Sequence, residues 1–274
     1  MSIKKILISV TTYPLPSRSY DELVCTAGFL EDGSWIRIYP VPLSFLNQVK
    51  KDTGFKKYTW IELDVKERTD DFRPESHSPN NYEIKIINTL NTNNFWQERK
   101  EICLKNVYTN KLKFLEDSKA PKNISLVTFK PSKITDFIVE EDEKEWKDEW
   151  KEIRKQTDLF AEIESDPEKL IPKVPYKFYY VFEDDEGVPS KLMIEDWEIF
   201  QLYFNCLRDN NNNQETAILK VKEKYFDIFT KENDIHLFLG TTMQWHRRRA
   251  NNPFVIIGVF YPKIKSQFTL FDEQ

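Results

Sequence analysis

The chain has 274 residues, of which 40% are apolar, 14% aromatic and 31% charged, with a formal net charge of −5. Such a chain buries a core and is not disordered. No run approaches the roughly 18 apolar residues of a membrane span, and the scattered Cys25, Cys103 and Cys206 and His77, His236 and His246 form neither a disulfide framework nor a metal-ligand pattern, so a reducing, cytoplasmic setting is expected.

In chain order, Lys4 to Val10 reads as a first strand, its apolar stretch being too short for a signal peptide. Two prolines punctuate the loop Thr11 to Arg18. Leu23 to Leu30 and Trp35 to Tyr39 flank Asp32-Gly33, a pair selected by tight hairpins because their turns need positive φ. Tyr58 to Lys66 and Tyr82 to Ile87 read as further strands around a polar loop, Thr69 to Pro79. The pattern predicts a helix over 96–115 and a strand over 125–130.

From Glu140 to Phe160 the residues Trp146, Trp150, Ile153 and Phe160 fall at helical spacing among acids and lysines, as in an acidic connector helix. Lys169 to Pro175 breaks it. Tyr176 to Phe182 is a strand. Met193, Trp197, Phe200, Phe204 and Leu207 then line one helix face, and Asn212 or Asn213 caps a second helix striped by Ile218, Val221, Tyr225 and Phe229. Two apolar runs, Asp234 to Gly240 and Pro253 to Pro262, bracket a basic loop. The second is nearly continuous and β-branched, which predicts a strand in mid-sheet.

The expected class is α+β. A mostly antiparallel small sheet or barrel occupies 1–135, an acidic helical connector 136–172, strands packed on two helices 173–265, and a free tail 266–274. Charge is segregated along this plan: Asp136 to Lys169 carries a net −8, leaving +3 for the remainder. The positive end lies around the basic loop, which permits an anionic partner.

That loop holds Thr241, Thr242, Trp245, His246, Arg247, Arg248 and Arg249. Arginine forks suit phosphate oxygens and the indole offers a stacking face, so DNA or a nucleotide is the expected partner. Successive arginines in a loop cannot all point the same way. Arg37, a charge inside the apolar strand Trp35 to Tyr39, is a further candidate for phosphate or base contact. Arg37, Arg73, His246 and Arg248 are expected to converge on one concavity.

Two readings compete with pure binding. Asp71 followed by Glu83-Ile84-Lys85 has the acid and acid-x-Lys spacing of Mg²⁺-dependent nucleases, although Asp52 with Asp64-Val65-Lys66 fits equally well. Glu75 with His77 is a conceivable acid/base pair, set against an ordinary turn around Ser76 and Asp71. A third class is a protein-interaction module using the acidic helix. No Gly-rich phosphate loop, Gly-x-Ser-x-Gly elbow or His-Glu-x-x-His helix occurs, and no cofactor is expected beyond Mg²⁺ under the nuclease alternative.

The tail, Gln267-Phe-Thr-Leu-Phe271, resembles the short peptide by which bacterial repair and replication proteins hook onto the sliding clamp. Gln267, Leu270 and Phe271 match the anchors of that peptide; Phe268 stands where leucine is usual. The resemblance implies a sliding-clamp partner and work beside DNA, in repair or defence. As a whole the chain resembles a group of bacterial proteins with no activity assigned. The marks are Thr12-Tyr-Pro14, Trp35-Ile-Arg-Ile-Tyr-Pro40, Arg73-Pro-Glu-Ser76, Asp196-Trp-Glu198, Phe238-Leu-Gly-Thr241 and Ile256-Ile-Gly-Val-Phe-Tyr-Pro262. This second resemblance implies no chemistry.

Overall fold

Alternation along the first strand already requires two buried faces. In β1 (Ser2–Thr11), Ile6 and Ile8 join one apolar cluster, while Leu7 and Val10 join another, a bulge after Ile8 keeping Val10 on the side of Leu7. The computed structural model describes residues 2–16, 22–148 and 171–265.

Strand β1 pairs antiparallel with both β3 (Glu22–Phe29) and β5 (Thr59–Glu67). Strand β4 (Trp35–Pro42) pairs antiparallel with β3 and, through a short parallel contact, with β6 (Ser76–Thr89), which returns antiparallel to β5. The ring therefore closes in the order β1-β3-β4-β6-β5, with β2 (Leu15–Pro16) a short addition to β3. Helix α1 (Leu43–Thr53) lies in the chain between β4 and β5. This is the topology of the oligonucleotide/oligosaccharide-binding type of barrel. Ile6, Ile8, Ile36, Ile38, Ile61 and Leu63 form its interior cluster together with Leu43 and Leu46 of α1. Closure needs Gly28, where an added Cβ would stand 2.1 Å from the Leu7 carbonyl oxygen.

The rest of the chain forms two sheets under helices. One sheet runs β13-β12-β8-β7, from β7 (Val107–Tyr108), β8 (Leu126–Phe129), β12 (His236–Thr241) and β13 (Phe254–Phe260). The other runs β11-β10-β9, from β9 (Lys133–Glu141), β10 (Tyr176–Glu183) and β11 (Pro189–Met193). Between β7 and β8 lies α3 (Lys111–Asp117), after α2 (Asn93–Cys103). Helix α4 (Trp197–Asp209) starts on the Asp196 cap, and α5 (Gln214–Lys222) on Asn213, whose side chain accepts from the Thr216 amide at 2.9 Å. A five-residue helix, α6 (Met243–Arg247), sits inside the basic loop.

Several expectations change. The helix over 96–115 is two helices separated by β7, because Val107 and Tyr108 pair with Thr128 and Phe129 of β8 and Asn110 starts a new cap. Met193 closes β11 instead of joining α4, whose buried face is Ile199 and Tyr203. Strand β13 is at the end of its sheet's strand order, not in the middle. Its outer edge is nonetheless covered: the Glu195 amide donates to the Ile256 carbonyl at 2.7 Å, and the Asp196 carboxylate accepts from the Val259 amide at 3.3 Å. Strand β9 carries Glu140 and Glu141, which the acidic pattern assigned to a helix. Trp150, Ile153 and Phe160, and the whole clamp-like peptide with Gln267, Leu270 and Phe271, lie outside the described residues.

The outer face of the barrel is not open. Leu7, Val10, Ala27, Phe29 and Trp60 pack in one apolar cluster with Leu126, Phe238, Ile257 and Phe260 of the second half. Strands β3 and β4, the ligand-binding face of many such barrels, therefore meet this chain's own β8 and β12. Among the described residues no helix is long and apolar enough to cross a membrane.

Candidate anion-binding cleft

Polar side chains at this apolar seam have to satisfy one another. Arg37 points out of β4 into the second half and is 3% exposed. Its guanidinium donates to Ser125 Oγ at 2.7 Å, Ser76 Oγ at 3.4 Å and the carbonyls of Ser125 and Thr241 at 3.3 and 3.4 Å. Burial works against its charge, Arg73 adds to the strain, and Glu75 and Asp71 oppose both. The odd charge in an apolar strand thus faces neither water nor an open cleft. It bonds across the seam.

The loop between β5 and β6 completes this box. Arg73 grips Asp71 with Nε at 2.9 Å and Nη2 at 2.6 Å, and its Nη1 donates to the Thr241 carbonyl at 2.8 Å. Burial pushes the Asp71 carboxyl up, but the Arg73 fork outweighs it and holds the group well below the usual carboxylate range. Glu75 accepts from the Ser125 amide and hydroxyl, both at 2.8 Å, and from the Leu126 amide at 3.3 Å. Each carboxylate is occupied, which is the condition for a buried polar network to be tolerated.

That geometry separates the acid/base pair. His77 meets Glu75 only through Nδ1 and the Glu75 backbone oxygen, 2.9 Å apart, while the Glu75 carboxylate serves Ser125 and Leu126. The nuclease triad is not gathered either. His77 pairs with Glu67 and Ile84 with Leu63, four residues along β5, which puts Ile84, the neighbour of Glu83, about 13 Å from His77 along the barrel wall at the rise of a strand. Asp71 lies on the far side of His77, fully engaged by Arg73, and the exposed Lys85 bonds Glu62 at 2.9 Å.

His246 links the box to the surface. Its Nε2 lies 2.7 Å from the Ser118 carbonyl, so it carries the proton and donates, and Nδ1 then accepts from the Thr241 hydroxyl at 3.0 Å. Burial lowers its pKa against the pull of the Ser118 bond, with Arg73 and Arg37 adding to the decrease. The ring is neutral at pH 7 with both nitrogens used, so it forms a wall of the cleft and does not contribute a cation.

In front of that wall opens a cleft of about 420 Å³, lined by Phe72, Ser118, Lys119, Asn123, His246, Arg247 and Arg249, with Leu115, Ala120, Ala250, Asn251 and Pro253. Thr242 caps α6, its hydroxyl accepting from the Trp245 amide at 3.3 Å. After α6 the chain turns through the left-handed region at Arg249 (φ 52°), and Arg247 and Arg249 both reach the cleft. Arg248 does not line it; its guanidinium lies 5.7 Å from the ring of Trp245, which is 50% exposed. Of the four residues expected to converge, Arg37 and Arg73 lie behind the cleft, His246 forms its wall and Arg248 stays outside.

No Asp or Glu lines the cleft, and Lys119, Arg247 and Arg249 make no ion pair among the described residues. Sequence reading missed Lys119, Asn123 and Phe72. Phe72, 42% exposed and edge-on to His246 at 5.0 Å, carried a signal: a lone aromatic in an acidic loop. Lys119 and Asn123 carried none, since they join the site only when α3 packs beside α6.

Fold and site together define a two-part α+β protein, a closed barrel sealed against a helix-covered sheet with a basic cleft at the seam. The chain belongs to the family described as Domain of unknown function (DUF8757), which matches residues 110–274, and residues 2–105 match Domain of unknown function (DUF8758). No curated protein matches the chain.

Proposed function

We propose that the protein binds the phosphate backbone of DNA in the cleft of Lys119, Arg247 and Arg249, and that Gln267, Leu270 and Phe271 tether it to a sliding clamp. The observation that supports the first part is a concave basic site with no carboxylate in its lining among the described residues. Cations that fold into a hollow and meet no acid among the described residues are available to an anion, whereas those of the box are not. Phe72 lines the site as an exposed aromatic on which a base can stack. The face of the barrel that commonly holds single strands is occupied, so the strand would follow the seam instead. Binding of a labelled oligonucleotide by the intact protein and by the triple alanine variant at Lys119, Arg247 and Arg249 tests this. Affinity is expected to fall more than tenfold; equal affinities end the proposal. Deletion of residues 266–274 is expected to abolish co-elution with the clamp and leave oligonucleotide binding intact.

A further inference from the structure

A second cavity, of about 160 Å³, opens where the loop after β1, the start of β10 and the chain between β11 and α4 meet. Ligand pockets for drug-sized molecules run to roughly 300–1,000 Å³, so this one has room for a single planar ring system. Its walls are aromatic: Tyr13, Trp146, Tyr176 and Phe200. Tyr13 packs on Phe200 at 4.8 Å, and Trp146 Nε1 donates to the Ile171 carbonyl at 2.8 Å, which fixes the indole in place.

Two carboxyls line this slot, those of Asp142 and Glu195. Ile194 and Asp196 point into the protein and are fully buried, so the side chain of Glu195 between them turns to the opposite side. The backbone of Glu195 is held at both ends, its amide on the Ile256 carbonyl at 2.7 Å and its carbonyl accepting from the Tyr13 amide at 3.1 Å. The charged groups on the same walls are already matched, Lys173 and Lys177 lying 3.0 and 3.1 Å from Asp142. Among the described residues, the remaining titratable groups facing the slot are the phenols of Tyr13 and Tyr176. No partner for the Glu195 carboxyl is present among the described residues.

We propose that this slot binds a nucleobase, sandwiched by Trp146, Tyr13 and Phe200, with the Glu195 carboxyl pairing the base edge through one donated and one accepted hydrogen bond. Burial raises the Glu195 pKa to about 7, and no neighbouring charge lowers it. In the neutral form the O–H donates to a ring nitrogen and the C=O accepts from the adjacent amino group. The ionised form accepts only, so the pairing is lost as pH rises. This site is separate from the basic cleft, and neither proposal depends on the other.

Calorimetric titration of the intact protein with adenosine tests the pairing, and purine riboside, which lacks the amino donor, is the control. Affinity for adenosine is expected to fall about tenfold between pH 6 and pH 8, following the neutral fraction of a group titrating near 7. Purine riboside is expected to bind at least tenfold more weakly at pH 6. Glu195→Gln keeps a donor and an acceptor, so it should retain binding and lose the pH dependence, whereas Glu195→Leu should lose binding. A parallel arm with short single-stranded oligodeoxyadenylate distinguishes a free nucleoside from a base carried on a strand, by which of the two binds more tightly. Absence of saturable binding to either probe overturns the inference. So does equal affinity for purine riboside, or an unchanged pH slope in Glu195→Gln. The first two results come from the unaltered protein and do not depend on a variant folding.

Discussion

Two sets of cations meet at the seam and have opposite fates. Arg37 and Arg73 are buried, and each guanidinium is consumed by Ser125, Thr241, Ser76 or Asp71. Lys119, Arg247 and Arg249 line an open hollow a few side chains away and bond no acid among the described residues. The shared residues are Thr241, whose carbonyl receives the first set, and His246, which its hydroxyl holds as a wall for the second. Inner charges of this kind position the loop, and outer ones are those that the proposed function assigns to the phosphates. An arginine is therefore assigned a role by what surrounds its guanidinium, not by being an arginine in an unusual place.

The largest effect should come from breaking the inner set. Glu75→Ala strands the Ser125 amide, its hydroxyl and the Leu126 amide in the seam, together with the nearby Arg37 charge. Loss of one partner from a buried ionic network costs about 3–5 kcal/mol, which urea unfolding would read as a lower midpoint at unchanged slope. A loss below about 1 kcal/mol would mean that the box contributes little to closing the seam.

Acid should destabilise the same sheet by a second route, at the other end of β12. His236 at the start of β12 is buried, which lowers its pKa to about 4, with Lys130 adding to the decrease and Asp234 opposing it. The unfolded chain takes up this proton near pH 6.5, and the folded one not until about pH 4. Between those values the unfolded state binds more protons, so this contribution is intact above pH 6.5 and declines as pH falls, by about 3 kcal/mol in all. His246, also lowered by burial, acts with the same sign. Urea midpoints measured across this range should drop with acid, and His236→Asn should show a shallower drop.

Arg248→Ala should have the smallest effect, because its side chain stacks on an exposed indole outside the cleft. A stability change within about 0.5 kcal/mol is expected, with less than a threefold change in oligonucleotide affinity. A large loss of binding in this variant would shift the proposed site from the cleft to Trp245.

Local features were legible where one residue type meets one backbone need. Asp32-Gly33 marks its hairpin, with Gly33 at φ 83°, and Asn213 caps α5 as expected. Tertiary features were not. Val107 and Tyr108 interrupt a helical pattern only because β8 offers them a ladder, and β9 was hidden inside an acidic stretch. Arg37 was rightly singled out as a charge among apolar neighbours, but its acceptors at Ser125 and Thr241 are 88 and 204 residues away in the chain. The cleft was half legible for the same reason. Arg247 and Arg249 lie in the basic loop, whereas Lys119 and Phe72 reach it from α3 and from the barrel.

The central claim is that Lys119, Arg247 and Arg249 are reserved for phosphates, and its most direct test is the salt dependence of oligonucleotide affinity in the wild type and the triple alanine variant. With each single-stranded phosphate contact worth about 0.7 in the slope of log K against log salt, the account predicts a slope shallower by about 2 in the variant, with thermal stability unchanged. Identical slopes, or no salt-sensitive binding by the wild type, would contradict it.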